Sequence, residues 1–269
     1  VADEQIQRRL GLAIPEDLDR TEAVQTAINR LRTMQRQEGG FGLWDSQSPE
    51  ERWLTPYVTE FLLNARDKGF DVPQSVLDRA IKRLQYYVSD TRIPILRNRY
   101  YGDESHYRFA YRAYAAFILA KQAKAPLGTL RQWFDDYGNE SKSPLPLMHL
   151  AVALKLQGDG ERAAKAVQRA ANIRRQSSLY LGDYGSIIRD DALILALNME
   201  FQLDLPDADQ RLFKLSNEIY RKNYMSTQER DAILRLALML EEDDPQNPWS
   251  ATFNQAANSE QVESYGRWN

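Results

Sequence analysis

The feature that most constrains this chain is an alternation between two kinds of helical segment. Windows 53–67, 107–122, 144–157, 189–201 and 226–241 are small and apolar. Windows 21–37, 75–88, 127–137, 160–174 and 207–222 are amphipathic and charged. A helix that is apolar nearly all round must be buried on most sides, and close packing there favours alanine. A helix with one charged face is covered on one side only. Most links between the two kinds are short and hold Gly69, Gly138–Asn139, Gly158–Asp159–Gly160 or Asp204–Pro206. Short links make consecutive helices antiparallel neighbours. The pattern therefore predicts an all-α fold, an α/α toroid with an inner ring wrapped by an outer ring. A stacked solenoid gives a similar alternation but leaves one face of its inner helices open. The toroid fits better, because its inner helices are covered all round. Five pairs are visible, and closed rings of this type usually have six. One inner helix is therefore expected upstream of Val1, leaving the toroid incomplete at its N-terminus. Residue 1 is Val rather than Met, so the chain reads as a piece of a longer polypeptide.

Local signals support the helices. Ala23, Ala27, Leu31 and Met34 share one face of the first, with Thr21 as the expected N-cap. Gly39 and Gly40 are expected to stop that helix in a left-handed conformation. Pro56 falls in the first turn of the second, where its missing N–H has no helical partner to lose. The segment starting Arg189-Asp190 echoes the one starting Arg230-Asp231 at a spacing of 41 residues. Beyond Asp243-Asp244-Pro245 the helical pattern breaks, and Trp249, Ala251 and Phe253 alternate. The chain thus divides into a toroid, residues 1–244, and residues 245–269, a linker and the start of a following β-rich domain. Its first strand is expected to be left unpaired or poorly ordered here.

Composition removes several chemistries. The chain has no cysteine, which excludes disulfides, thiolate zinc sites and cysteine nucleophiles within it. With two histidines, His106 and His149, a histidine metal site is not expected. The net charge of −3 gives no basic field for nucleic acid. The Arg97, Arg99 and Arg174, Arg175 spots read as solvated surface charge. The apolar run from Ala113 to Ala120 is too short to span a bilayer, which takes about 20 residues. No cofactor is implied.

Acid doublets occur at Glu50–Glu51, Asp135–Asp136 and Asp190–Asp191, with a further acidic run from Glu241 to Asp244. An inverting glycosidase needs two carboxylates about 6.5–9.5 Å apart across a cleft. Adjacent acids on a helix point about 100° apart, so a doublet is not such a pair. Asp190 reads as an acid placed at a helix N-terminus. His106, just before an inner helix, could act as a general base; a hydrogen-bonded structural role is the stronger reading for it and for His149. No nucleophile–base pair is visible, so no catalytic residue and no enzyme activity is assigned.

Gln35-Arg36-Gln37-Glu38-Gly39-Gly40-Phe41 resembles the Gln-x-x-Asp/Glu-Gly-x-aromatic turn of terpenoid cyclases, which are also α/α toroids. The resemblance implies that the Gln and the acid cap helix ends while the ring packs beneath. The acidic motif of class II cyclases is absent, and the cysteine-containing zinc site of protein prenyltransferases cannot be built.

Several stretches taken together are similar to the thioester domain of bacterial α2-macroglobulins, the periplasmic lipoprotein branch in particular. These are Leu31 to Ala65, Lys124 to Arg131, Leu147 to Gly158, Leu181 to Ser186 with Arg189-Asp190, and Ser226-Thr227-Gln228-Glu229. The resemblance implies a broad-spectrum protease trap of bacterial defence. A protease cuts a bait segment, and a Cys–Gln thioester then captures it covalently. The Cys-x-Glu-Gln motif would lie upstream of Val1, or be missing from the parent. The implied partners are target proteases and other domains of the polypeptide. The implied place is the periplasm, with a lipid anchor to the inner membrane elsewhere in the parent. The loop expected to border the thioester holds Trp44, Asp45, Ser46, Glu50, Glu51 and Trp53. In complement-type relatives this loop carries a histidine; here it does not, which implies a preference for amines if the parent has a thioester, and a solvent-exposed acidic loop with no chemical role is the alternative reading. A thioester-less scaffold for periplasmic or cell-wall synthesis partners, and a glycan-active toroid enzyme, are the alternative readings.

Overall fold

Ten helices follow one another through the described residues of the computed structural model, 19–89, 104–176, 180–243, 251–255 and 258–262. They are α1 (Arg20–Met34), α2 (Leu54–Asp67), α3 (Gln74–Ser89), α4 (Glu104–Lys121) and α5 (Leu127–Tyr137). Then come α6 (Pro144–Leu156), α7 (Gly160–Ala171), α8 (Ile187–Phe201), α9 (Ala208–Tyr220) and α10 (Thr227–Asp243). None of them is long and apolar enough to cross a membrane.

The even-numbered helices form the inner ring. Helix α2 packs on α4, α4 on α6, α6 on α8, and α8 on α10. Helix α6 is buried from Pro144 to Leu154, as its uniformly apolar sequence requires. Its two prolines sit in the first turn, where neither removes a helical hydrogen bond. The odd-numbered helices lie outside: α3 packs on α2 and α4, α7 on α6, and α9 on α8. Each buries one stripe, for example Ala163, Ala166, Val167 and Ala170 of α7.

Because each outer helix returns the chain, the inner helices all run the same way. Contacts at their ends agree. The Tyr107 hydroxyl at the start of α4 donates to Glu51 just before α2. Lys155 Nζ at the end of α6 donates to the carbonyls of Phe201 and Gln202, at 2.8 and 2.6 Å, at the end of α8. One end of the ring thus collects the inner-helix N-termini.

Local details depart from expectation in four places. Asp19, not Thr21, caps α1, accepting from the Glu22 N–H at 3.0 Å. Helix α1 stops at Met34, ahead of the glycines, because Gln35 is extended and pairs with Phe41. Arg175 is buried rather than solvated; Arg174 is exposed, and Arg97 and Arg99 lie outside the described residues. The strand expected to be unpaired, β1 (Ala251–Gln255), pairs antiparallel with β2 (Asn258–Val262).

Candidate functional site

The loop from Gln35 to Trp53 opens the N-terminal end of the ring. Gln35 is its anchor. Its Nε2 donates to the carbonyls of Gly39 at 3.2 Å and Val76 at 2.9 Å, and its Oε1 accepts from Arg79. This draws the turn against the start of α3. Gly39 has φ +96°, and a β-carbon there would sit 2.1 Å from the Arg79 carbonyl oxygen. Only glycine fits so close an approach. Phe41 is buried beneath, with its N–H given to Thr55 Oγ1 at 3.1 Å. Glu38 is exposed and pairs with Arg36; it caps no helix, contrary to expectation.

The six loop residues divide between surface and interior. Trp44 stands 80% exposed at the tip. Asp45 Oδ1 accepts from the N–H groups of Gln47 and Ser48, at 2.8 and 2.7 Å, and from the Ser48 hydroxyl. Those hydrogen bonds hold its carboxyl below the usual range. The carbonyl of Ser46, with that of Ser48, faces the Arg36 guanidinium. Glu50 turns inward to Arg83 and the Tyr87 hydroxyl on α3. Glu51 is buried and takes the Tyr107 hydroxyl on α4. Trp53, 4% exposed, stacks on Tyr57 and lies under the Arg189 guanidinium, 5.4 Å from the ring centroid. The structure therefore does not gather all six on one face.

A second cluster lies behind Trp53. Arg175, Asp183, Arg189 and Asp190 are all buried and pair among themselves. Arg175 Nε lies 2.7 Å from Asp190 Oδ2, and Arg189 Nη2 lies 2.6 Å from Asp190 Oδ1. Two cations and two anions cancel, which such burial demands. Burial alone would raise the Asp183 carboxyl. Arg189, the His106 hydrogen bond and Arg175 outweigh it and hold Asp183 well below the usual range. His106 is fully buried. Its Nδ1 accepts from the Lys142 N–H at 2.9 Å, so Nε2 carries the proton it shares with Asp183 at 3.2 Å. Both ring nitrogens are thus engaged in joining the starts of α4, α6 and α8. This is the structural role, not that of a base.

A third group joins four inner helices. Arg235 Nη1 of α10 lies 2.7 Å from Glu60 Oε2 of α2. The Tyr114 hydroxyl of α4 also donates to Glu60, and its ring stacks on His149 of α6 at 4.5 Å. Burial would raise the Glu60 carboxyl, but Arg235 and the Tyr114 hydrogen bond keep it below the usual range. Burial drives His149 down to about 3, so it stays neutral at any physiological pH. Charged and aromatic side chains thus join α2, α4, α6 and α10 in a buried setting.

Sequence reasoning missed Glu60, Arg235 and Asp183. For Glu60 and Arg235 the signal was present: each is a charged residue within an apolar stretch. Among the described residues, no group of three or more His, Asp or Glu could hold a metal ion.

The fold and this ring end define a class: an all-α toroid domain whose inner-helix N-termini converge on buried ion pairs. The chain is homologous to the C-terminal region of bacterial alpha-2-macroglobulin. It is 40% identical to the Escherichia coli K12 protein over 237 residues, 87% of this chain and 14% of that protein. It is 35% identical to the Xylella fastidiosa Temecula1 protein over 240 residues, again 87% and 14%. Native E. coli alpha-2-macroglobulin, solved from domain MG7 to the C-terminus, matches with a TM-score of 0.85 at 36% identity, covering 97% of this chain and 40% of that one. The trypsin-activated E. coli protein matches at 0.82 and 37%, covering 97% and 17%. Salmonella alpha-2-macroglobulin reacted with methylamine matches at 0.84 and 35%, covering 97% and 17%. No protein-family model matches the chain. The chain thus spans about a seventh of the length of these relatives.

Proposed function

We propose that this chain is the thioester-type domain of a protease trap, acting by capture rather than turnover. One observation carries the reading: 97% of the chain superposes on relatives solved after trypsin activation and after reaction with methylamine. A protease and a small amine are the two reagents that a trap with an activated carbonyl would meet. In the proposed step, a lysine amine of the protease attacks the thioester carbonyl. An amide bond forms, the carbon–sulfur bond breaks, and the sulfur leaves as thiolate. The thioester residues lie outside this chain, and the domain's part is to support them. The loop with Trp44, Asp45 and Ser46 outside and Glu50, Glu51 and Trp53 inside would border them.

The reading places the parent in the periplasm, anchored by lipid to the inner membrane. It treats residues 1–244 as the toroid domain and 245–269 as the passage into a β-rich neighbour. The test uses the full-length polypeptide mixed with trypsin, with and without prior methylamine. The expected result is a trypsin conjugate stable on denaturing gels, its loss after methylamine, and release of one thiol by the amine. No conjugate and no thiol would overturn the capture step.

The scaffold reading draws on a different observation. Phe213 within α9, Tyr220 at its end and Tyr224 beyond it are 71%, 91% and 74% exposed, apolar area open to a partner. It predicts a full-length protein that releases no thiol. The glycan-active reading needs two facing acids in an open centre. Here Glu60 and Asp190 are buried and bound by arginines.

A further inference from the structure

A cavity of about 450 Å³ opens at the same end of the ring, between the starts of α8 and α10 and the end of α9. We propose that it binds a peptide carboxylate. Arg175 forms its inner wall with 6% of the residue exposed. Its Nε and Nη2 are taken by Asp190 and Asp183, while Nη1 has no hydrogen-bond partner among the described residues. The first turn of α8 forms the floor. Ser186 caps the Arg189 N–H at 3.1 Å, while among the described residues the N–H groups of Ile187 and Ile188 meet no acceptor. Free N–H groups at a helix start favour an anion. Gly185 has no side chain in the way: a β-carbon there would sit 2.2 Å from Arg175 Nη2.

Arg221 and Lys222 stand at the rim. Arg221 has no ion-pair partner among the described residues. Glu229 is turned to its own task, accepting from Lys222 Nζ and the Ser186 hydroxyl, each at 2.6 Å, and from the Ser226 N–H at 2.9 Å. Glu218 remains on the wall and opposes a second negative charge. The site therefore suits a monoanion, which favours carboxylate over phosphate. Isoleucine side chains beside the N–H groups suit an apolar residue next to that carboxylate. Such a group comes either from a chain's C-terminus or from an aspartate or glutamate side chain.

The test titrates the 269-residue chain, labelled with nitrogen-15, with three probes. They are N-acetyl-Ala-Leu with a free carboxyl, the same peptide as its amide, and N-acetyl-aspartate α-amide, which keeps only its side-chain carboxyl. The expected result is a shift of the Ile187 and Ile188 amide signals with one or both free carboxylates and none with the amide. The tighter carboxylate identifies the source. Arg221→Ala, an exposed change that leaves the fold intact, should weaken binding about tenfold, the loss of one charge-assisted hydrogen bond. Equal shifts with the amide, no shift at millimolar probe, or unchanged affinity in Arg221→Ala would each overturn the proposal.

Discussion

Arg235 Nη1 lies 2.7 Å from Glu60 Oε2, so the last inner helix is tied to the first across 175 residues of sequence. The neighbouring inner helices meet through packed apolar faces. This pair meets through charge, and Tyr114 and Asp231 complete it, the latter 3.0 Å from Arg235 Nε. Glu60 is nearly buried, and the Arg235 side chain is 29% exposed.

Removing one partner of such a pair strands the other. Arg235→Met should cost about 3 kcal/mol in urea unfolding, because Glu60 loses its main cation in a buried setting. The double change Glu60→Leu with Arg235→Met removes the stranded charge and should be the more stable of the two. A double variant less stable than Arg235→Met alone would show that the pair is not the source of the loss.

The two loop tryptophans should part company. Trp53→Ala removes a buried ring that touches Tyr57, Tyr184 and Arg189, and should cost about 4 kcal/mol. Trp44→Ser removes a ring that is 80% exposed and should stay within about 0.5 kcal/mol of the parent chain. Thermal unfolding of both variants checks this, and a large loss in Trp44→Ser would contradict the loop geometry.

Gly39 and Gly69 separate strain from collision. Both have positive φ, +96° and +87°, but only Gly39 faces a neighbour within reach. Gly69→Ala should cost about 1 kcal/mol, the left-handed penalty alone. Gly39→Ala should cost about 3 kcal/mol, since the turn must also move off Arg79. Equal losses would mean that the contact with α3 does not matter.

Much of the ring was legible because its physics is periodic. The near-uniform apolarity of residues 144–154 could be satisfied only by burial on all sides, and that part of α6 is so buried. The single stripe of α7 was equally plain. What could not be read was pairing at long range. Arg175 looked like half of a surface doublet, yet the segment after α7 turns it inward to meet Asp183 and Asp190. Glu60 and Arg235 sit in apolar helices far apart in sequence, and no local pattern joins them. Only the rule that a buried charge needs a partner pointed to them. The loop acids were legible as a group, but not the division that sends Glu50 to α3 and Glu51 to α4.

Asp191 offers the last test, through pH. It is 9% exposed on α8. Burial raises its carboxyl to about 6; Asp190 and Glu218 add to the rise, while Arg211 and Arg174 oppose it. In the unfolded chain an aspartate ionises near about 3.9. Below that value both states hold the proton, and Asp191 carries no penalty. Between there and pH 6 the unfolded chain releases its proton while the folded chain keeps it, so stability falls as pH rises. Above that range the loss levels off at about 2–3 kcal/mol. Asp191→Asn removes the titration. Its urea midpoint should equal that of the parent chain near about pH 4 and exceed it progressively toward neutrality. A difference between the two that stays constant across that range would show that Asp191 ionises normally in the folded ring.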